Sequence, residues 1–289
     1  MHTRRVLRRL AAAPRWLLGL AIIGVFVAIA LLPQGREGLF GRLEAIAYDA
    51  RLATTLGKGG DPQVVIVDID EASLRQQGRW PWSPDKVSRL RRQSFDKHQA
   101  RAIAFYVVFA ERDRFGVADV FIGLSLDELR DVAGYKQAID RLAPQLDFDA
   151  QLAKAFTARD VVLSFGFVAD PIRVGALPPP SFAESQLAEQ GAHIRIQPEA
   201  GYVANLATLQ QAARAAGHFD PVFDADNVVR RVPMLKRYGD GYYPALTLAV
   251  LGVSVEAKAI KPIVDSNGDL EWLDVGGLRQ RHPLHRLAR

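Results

Sequence analysis

Three acids close an apolar run in VVIVDIDE (Val64–Glu71): Asp68, Asp70 and Glu71. Two carboxylates at the carboxyl end of a buried strand could bind magnesium or present a nucleophile, as in phosphatases with an Asp-x-Asp signature. That signature wants Thr or Val two positions after its second Asp, and Ala72 stands there, with no partner motif downstream. The simpler reading is that these acids cap the next turn or pair with a nearby cation such as Arg79. The following Gly78-Arg79-Trp80-Pro81-Trp82 holds two of the four tryptophans. The faces of Trp80 and Trp82 suit sugars or cations. They also suit packing on strand ends, with Pro81 fixing the backbone between them.

A second charged constellation follows Asp224-Ala225-Asp226-Asn227, where Arg230 and Arg231 are adjacent. On a strand they point to opposite faces. One could enter a ligand pocket or hold an acid such as Asp68 or Asp70, while the other is solvated. His282 and His285 flank Pro283 in a basic tail with no carboxylate nearby, and His98 and His218 stand alone, so no metal ligand set is expected. Cysteine is absent, which excludes disulfides, a thiolate nucleophile and Cys-type zinc. Ser181 and Ser185 lack a glycine elbow. No catalytic set and no cofactor are expected.

The elements that position these residues can be read from periodicity. Trp16–Leu32 is an uncharged apolar run of 17 residues, roughly 25 Å as a helix, workable as a membrane span with interfacial flanks. Five arginines precede it, so the segment after it is expected outside the cytoplasm. An uncleaved anchor over 16–33 is favoured over a leader cleaved near Ala28-Ile29-Ala30 and over a buried soluble helix. Leu39–Leu56 reads as an amphipathic helix ending at Gly57-Lys58-Gly59-Gly60. Val64–Ile69 predicts a strand buried on both faces, Ser83-Pro84 opens a helix to about Lys97, and Arg101–Phe109 predicts a second strand, together a right-handed parallel crossover. Further expectations are helices over 125–142, from Asp147 or Asp149 to Phe156, over Asn205–Ala216 and over Tyr243–Leu251. Strands are expected at Val161–Val168, Ala192–Ile196 and Val228–Tyr238. Asn267-Gly268 signals a hairpin turn.

Charge narrows the function further. Residues 1–15 and 279–289 hold nine of the 37 basic side chains and none of the 32 acidic ones. The body between them carries 28 basic against 32 acidic residues, a net of −4, which is a poor match for a phosphate backbone. Nucleic acid is not an expected partner.

Several stretches taken together resemble the second type of CHASE domain, the extracellular sensory module associated with bacterial adenylate cyclases and histidine kinases. They are YDARL (Tyr48–Leu52), VVIVDIDEASL (Val64–Leu74), GRWPW (Gly78–Trp82), AIAFYVVFAERD (Ala102–Asp113) and FDAQLAKAF (Phe148–Phe156). GHFDPVFDADNVVRRVPML (Gly217–Leu235) and YPALTLAVL (Tyr243–Leu251) follow in family order. Such domains usually carry an Asp after the first Phe of the second strand, where this chain has Tyr106. They normally continue into several membrane helices and a cytoplasmic cyclase, diguanylate cyclase or kinase. Here RQRHPLHRLAR follows Leu278, so a product shortened before its output module is expected.

The expected architecture is α/β: a single mixed-sheet extracytoplasmic sensor domain over 35–278, preceded by one N-terminal transmembrane helix. A basic cytoplasmic N-terminus (1–15) and a basic tail (279–289) flank it. The expected role is signal input from the periplasm of a bacterial inner-membrane protein, acting through a homodimer on a small-molecule or environmental signal. Ligand-contacting candidates are Asp68, Asp70, Arg79, Trp80, Trp82, Arg230 and Arg231. The alternative is a membrane-tethered periplasmic metal-dependent hydrolase using Asp68 and Asp70.

Overall fold

The computed structural model describes residues 15–31, 38–56, 63–78, 82–112, 123, 132, 134–157, 159–189, 191–192, 194–266 and 268–281. The chain divides into two compact units, Met1–Asp68 with Phe223–Arg230, and Ile69–Val222 with Arg231–Arg289.

The first unit is helical. Helix α1 (Arg15–Leu31) covers the apolar run, and α2 (Leu39–Thr55) covers the expected amphipathic stretch. Among the described residues no helix is long and apolar enough to cross a membrane; α1 is 17 residues long. Gly57–Gly60, the expected stop of α2, lies outside the described residues.

The second unit is mixed α/β. It opens with α3 (Glu71–Gln77) and α4 (Pro84–Arg92), which continues as a π-helical turn over Gln93–Lys97. Then come β1 (Ile103–Phe105), α5 (Tyr135–Leu146), α6 (Phe148–Phe156), β2 (Val161–Val168), β3 (Arg173–Val174), β4 (Phe182–Ala183) and α7 (Glu184–Ala188). These are followed by β5 (Gly201–Val203), α8 (Ala207–Ala212) and β6 (Ala215–His218). A hairpin, β7 (Val222–Phe223) with β8 (Val229–Arg231), straddles the division between the units. The last elements are β9 (Leu235–Tyr238), β10 (Gly241–Pro244), α9 (Leu246–Ser254), β11 (Ile260–Val264), β12 (Leu270–Val275) and β13 (Leu278–Arg281).

Strand β2 is the centre of the main sheet. Its first half pairs in parallel with β1 and β6, and its end pairs antiparallel with β5, which in turn pairs in parallel with β3. Alternation sends Leu163, Phe165 and Phe167 into one core with Phe156, Leu152 and Leu209, while Val162 packs against Leu246, Ala249 and Val253 of α9. Seven of its eight residues are buried. The uniformly apolar sequence is thus explained by two covered faces. A three-stranded antiparallel sheet β11-β12-β13 and the β4-β10-β9 sheet share a separate core of Phe182, Tyr242, Leu248, Leu273 and Val275.

Beyond Phe105 the β1–β2 ladder stops, and side chains take over from it. Asn205 is fully buried; its Nδ2 donates to the Ser164 carbonyl (2.9 Å) and its Oδ1 accepts from the Phe109 amide (2.9 Å). The Ser164 hydroxyl donates to the Val107 carbonyl at 3.1 Å.

Several expectations are corrected. Val64–Ile69 forms no strand, and Val64, Val65, Ile66 and Val67 are exposed by 71, 77, 89 and 62%. Branched side chains favour a packed pleated surface but do not supply the neighbouring ladder that makes a strand. The parallel crossover from 64–69 to 101–109 is accordingly absent, and the second strand shrinks to Ile103–Phe105. Ala192–Ile196 is not a strand, although Ala192 and Ile194 are buried. Helix Asn205–Ala216 becomes the shorter α8 followed by β6. Helix Tyr243–Leu251 moves to Leu246–Ser254, since Gly241–Pro244 pairs with β9 and β4. Pro233 divides Val228–Tyr238 into β8 and β9. The helix from about 84 to 97, the Asp147-capped α6, β2 and the hairpin at Gly268 (φ 81°) are as expected.

Gly217 decides between the two readings of its segment. As a helix stop it would tolerate alanine at modest cost. Within β6, an added Cβ would lie 2.6 Å from Leu246 Cα and N and 2.7 Å from Ala245 C. Backbone cannot move aside as a side-chain tip can. Gly217→Ala is expected to destabilise the fold by several kcal/mol, of the order seen for overpacking, on a urea unfolding curve. A loss under about 1 kcal/mol, as for an exposed helix end, would place Gly217 outside the sheet.

Candidate functional site

The first unit builds its site from a turn and a helix. Asn227 adopts a left-handed conformation (φ 60°), the Asn227 amide donates to the Asp224 carbonyl (2.9 Å), and Asp226 Oδ1 accepts from the Val228 amide (3.1 Å). The Asp-Ala-Asp-Asn sequence suits such a turn, because Asp and Asn satisfy backbone donors locally and tolerate positive φ. Arg230 then extends back across it.

All five N–H donors of Arg230 are used. Nε and Nη2 donate to Asp49 Oδ1 and Oδ2 at 2.8 and 2.7 Å, a bidentate fork onto α2. Nη1 donates to Asp224 Oδ2 (3.0 Å) and Asp226 Oδ1 (2.8 Å), and Nη2 also donates to Asp226 Oδ2 (2.8 Å). The guanidinium side chain is 8% exposed. Such forked, charge-assisted geometry is the strong form of the ion pair. The cage carries three carboxylates on one cation, and Arg230 has no donor left for a ligand. Hydrogen bonds from Arg230 push Asp226 down to about 2 and hold Asp49 below the ordinary carboxylate range, while the same bonds raise the arginine. Arg231 is exposed, as strand alternation requires.

The expectation that Arg230 or Arg231 holds Asp68 or Asp70 is therefore corrected for Arg230: its acids are Asp49, Asp224 and Asp226. Asp70 is instead the N-cap of α3, its Oδ1 accepting from the Ser73 amide at 2.8 Å. That bond holds its carboxyl below the ordinary value. Asp68 is exposed. Trp82 is half-buried against the β2 core and its Nε1 donates to the Gly78 carbonyl (2.9 Å), closing the loop as a structural pin. Lys86 donates to the Gln77 carbonyl. Arg79 and Trp80 lie outside the described residues. Among the described residues no group of three His, Asp or Glu could hold a metal ion.

A second polar centre lies past the carboxyl ends of β1, β2 and β6, the edge where parallel sheets usually place ligands. His218, at the end of β6, has no exposed surface and neither ring nitrogen is hydrogen-bonded. Its Nδ1 lies 3.8 Å from Asp220 Oδ2, which accepts from the Phe167 amide (3.0 Å) and lies 3.4 Å from Lys236 Nζ. Lys236 also pairs with Glu199 at 2.8 Å. Burial lowers His218 to about 3 and raises Asp220. The Phe167 ring lies 6.2 Å from that of His218 and itself packs against the rings of Tyr238 and Tyr243. Tyr106 is 67% exposed; its ring lies 4.9 Å from that of Phe219 and its hydroxyl reaches the Phe219 carbonyl at 3.5 Å. An aromatic contact thus fills the position where the resemblance leads one to expect an acid.

In the sequence His218 stands alone, and Asp49, Asp220 and Lys236 carry no local signature of a site. Asp49 and Arg230 are 181 positions apart, and no local pattern relates them. The only signal was the Tyr48–Leu52 stretch, which marked Asp49 without a role.

The second unit is thus a mixed α/β body with a polar centre at one sheet edge. A family model, the CHASE2 domain, matches residues 21–286. The chain belongs to the CHASE2 family of extracellular sensory domains. No curated protein and no solved structure matches the chain.

Two outcomes follow from the charge geometry. In Arg230→Ala the Asp226 carboxyl is expected to rise from about 2 toward its ordinary 3.8, held back by the Val228 amide bond, read by carboxyl carbon NMR. The wild-type contribution of that pair is present above the ordinary value and is lost as pH falls through about 2, because only the unfolded carboxylate takes up protons in between. For His218 the window differs. Its folded value lies below the ordinary 6.5, so the unfolded state binds the proton first and stability falls as pH drops from 6.5 toward about 3. The fall in Tm between pH 7 and 4 is expected to be smaller in His218→Leu than in wild type. Equal falls would mean that His218 is protonated in the folded protein.

Proposed function

We propose that this chain is a membrane-anchored extracytoplasmic sensory domain that passes a signal to a cytoplasmic output enzyme, such as a nucleotide cyclase, a diguanylate cyclase or a kinase, in a homodimeric receptor. The observation that carries this reading is the family match over nearly the whole chain. Helix α1 is apolar on every described side, with Trp16, Leu20, Ile23, Val25 and Phe26 all more than half exposed. A helix that is apolar all round belongs in a nonpolar medium, and the arginines before it favour a cytoplasmic start. Seventeen residues rise roughly 25 Å, close to the hydrocarbon thickness.

The Arg230 cage gives this reading a mechanical part. It fastens the Asp224–Asn227 turn to α2, the next helix after α1, through a bidentate bond that cannot slide without breaking. A shift of that turn would be felt by the helix nearest the membrane anchor. Asp49→Asn is expected to weaken this link while leaving the Asp224 and Asp226 contacts in place.

Reporter fusions after residue 281 test the topology. Alkaline phosphatase fused there is expected to be active and β-galactosidase inactive; the opposite pattern would rule out an extracytoplasmic domain. Joined to the membrane helices and cyclase of a relative, Asp49→Asn is expected to change basal output, and an unchanged output would remove the cage from the signalling path.

A further inference from the structure

Helix α4 is basic where it meets α6. Arg91 and Arg92 lie in its last turn, and Lys154 lies on the facing helix. A cleft of about 370 Å³ opens between the two helices, lined by Ser88, Arg91, Arg92, Gln151, Lys154 and Ala155. That volume falls in the range of small-molecule sites.

The side chain at its base is anomalous. Arg91 is only 9% exposed, and its buried Nε has no hydrogen-bond partner. Among the described residues it forms no ion pair; its one specific contact is the Phe95 ring, 6.0 Å from the guanidinium carbon. Arg159 lies over the same ring at 5.4 Å and is paired with Asp96. Desolvation and the like charges of Arg159 and Arg92 disfavour the charged form of Arg91, and the Asp96 charge opposes them only in part. A buried cation is normally paired, and leaving one unpaired costs more than the usual lost hydrogen bond. Among the described residues no carboxylate pairs with Arg91, and Asp96, whose charge favours the cation from a distance, is engaged by Arg159.

We propose that this cleft is a binding site for a small molecule bearing a phosphate or sulfate group. The oxyanion would accept from the Arg91 guanidinium at the base, with Arg92, Lys154 and the Ser88 hydroxyl at the rim. A guanidinium presents paired donors that match oxyanions, and Lys adds a point charge. The ligand therefore completes the charge balance that the fold leaves open. The site is separate from the His218 centre and from the Arg230 cage. It gives the sensory reading a ligand class and rests on that reading for its physiological meaning.

Binding is measured on the full chain in non-ionic detergent, so the site is tested apart from signalling. Inorganic phosphate and sulfate are titrated at constant ionic strength made up with sodium chloride, with Tm and calorimetric heat as readouts. A saturable rise in Tm with either oxyanion, absent in chloride alone, is expected. Arg91→Gln is expected to weaken binding by about 10- to 100-fold and Lys154→Gln by a smaller factor. In chloride alone Arg91→Gln is expected to be as stable as wild type or more so, because it removes an uncompensated charge. Absence of a saturable response, unchanged binding in Arg91→Gln, or a large loss of stability of that variant in chloride would each overturn the site while leaving the sensory reading intact. Binding with no change of output in a receptor fusion would do the reverse.

Discussion

Burial of β2 on both faces and along both edges is the constraint that organises the second unit. A strand with seven buried residues has no water to satisfy its backbone, so each N–H and C=O must find a protein partner. Strands β1 and β6 serve the first half and β5 the second. Where β1 stops, Asn205 and Ser164 carry the bonding onward to Phe109 and Val107. That stitching holds the segment after β1 beside β2, and with it the polar edge where His218 and Asp220 lie.

The same constraint explains why charge collects at element ends. Inside the sheet a charged group would be desolvated without compensation. At the strand termini, backbone amides and paired side chains compensate, as the Phe167 amide and Lys236 do for Asp220. His218 is the exception. It stays neutral within the core because burial disfavours the imidazolium, and the nearby Lys236 charge adds to that. The Arg91 cleft is the inverse case, a buried guanidinium with no paired carboxylate among the described residues.

The first unit works on a different principle. A 17-residue helix and a tight turn have little core to share, and the Arg230 cage supplies the specificity that packing does not. Saturating all five donors fixes one geometry and leaves none for a ligand. The DADN turn and its arginine therefore read as a clasp rather than a pocket.

Local chemistry made much of this legible from sequence. Strand β2, the Asp147 cap of α6, the Ser83-Pro84 start of α4 and the Gly268 hairpin all follow from periodicity and turn stereochemistry acting over a few residues. The linear motifs also identified the family, now matched over 21–286. Tertiary structure alone decided the rest. The apolar Val64–Ile69 has every local mark of a strand, but a strand also requires a neighbour, and sequence cannot state who that is. Gly217 looked like a helix stop because its true reason, the backbone of Ala245 and Leu246 lying against it, is remote in the chain. Asp68 and Asp70 looked like a pair until one became a helix cap. Asp49 and Arg230 carried no visible relation until folding joined them. Short-range stereochemistry was written in the sequence, while long-range charge pairing existed only once the backbone had fixed the distances.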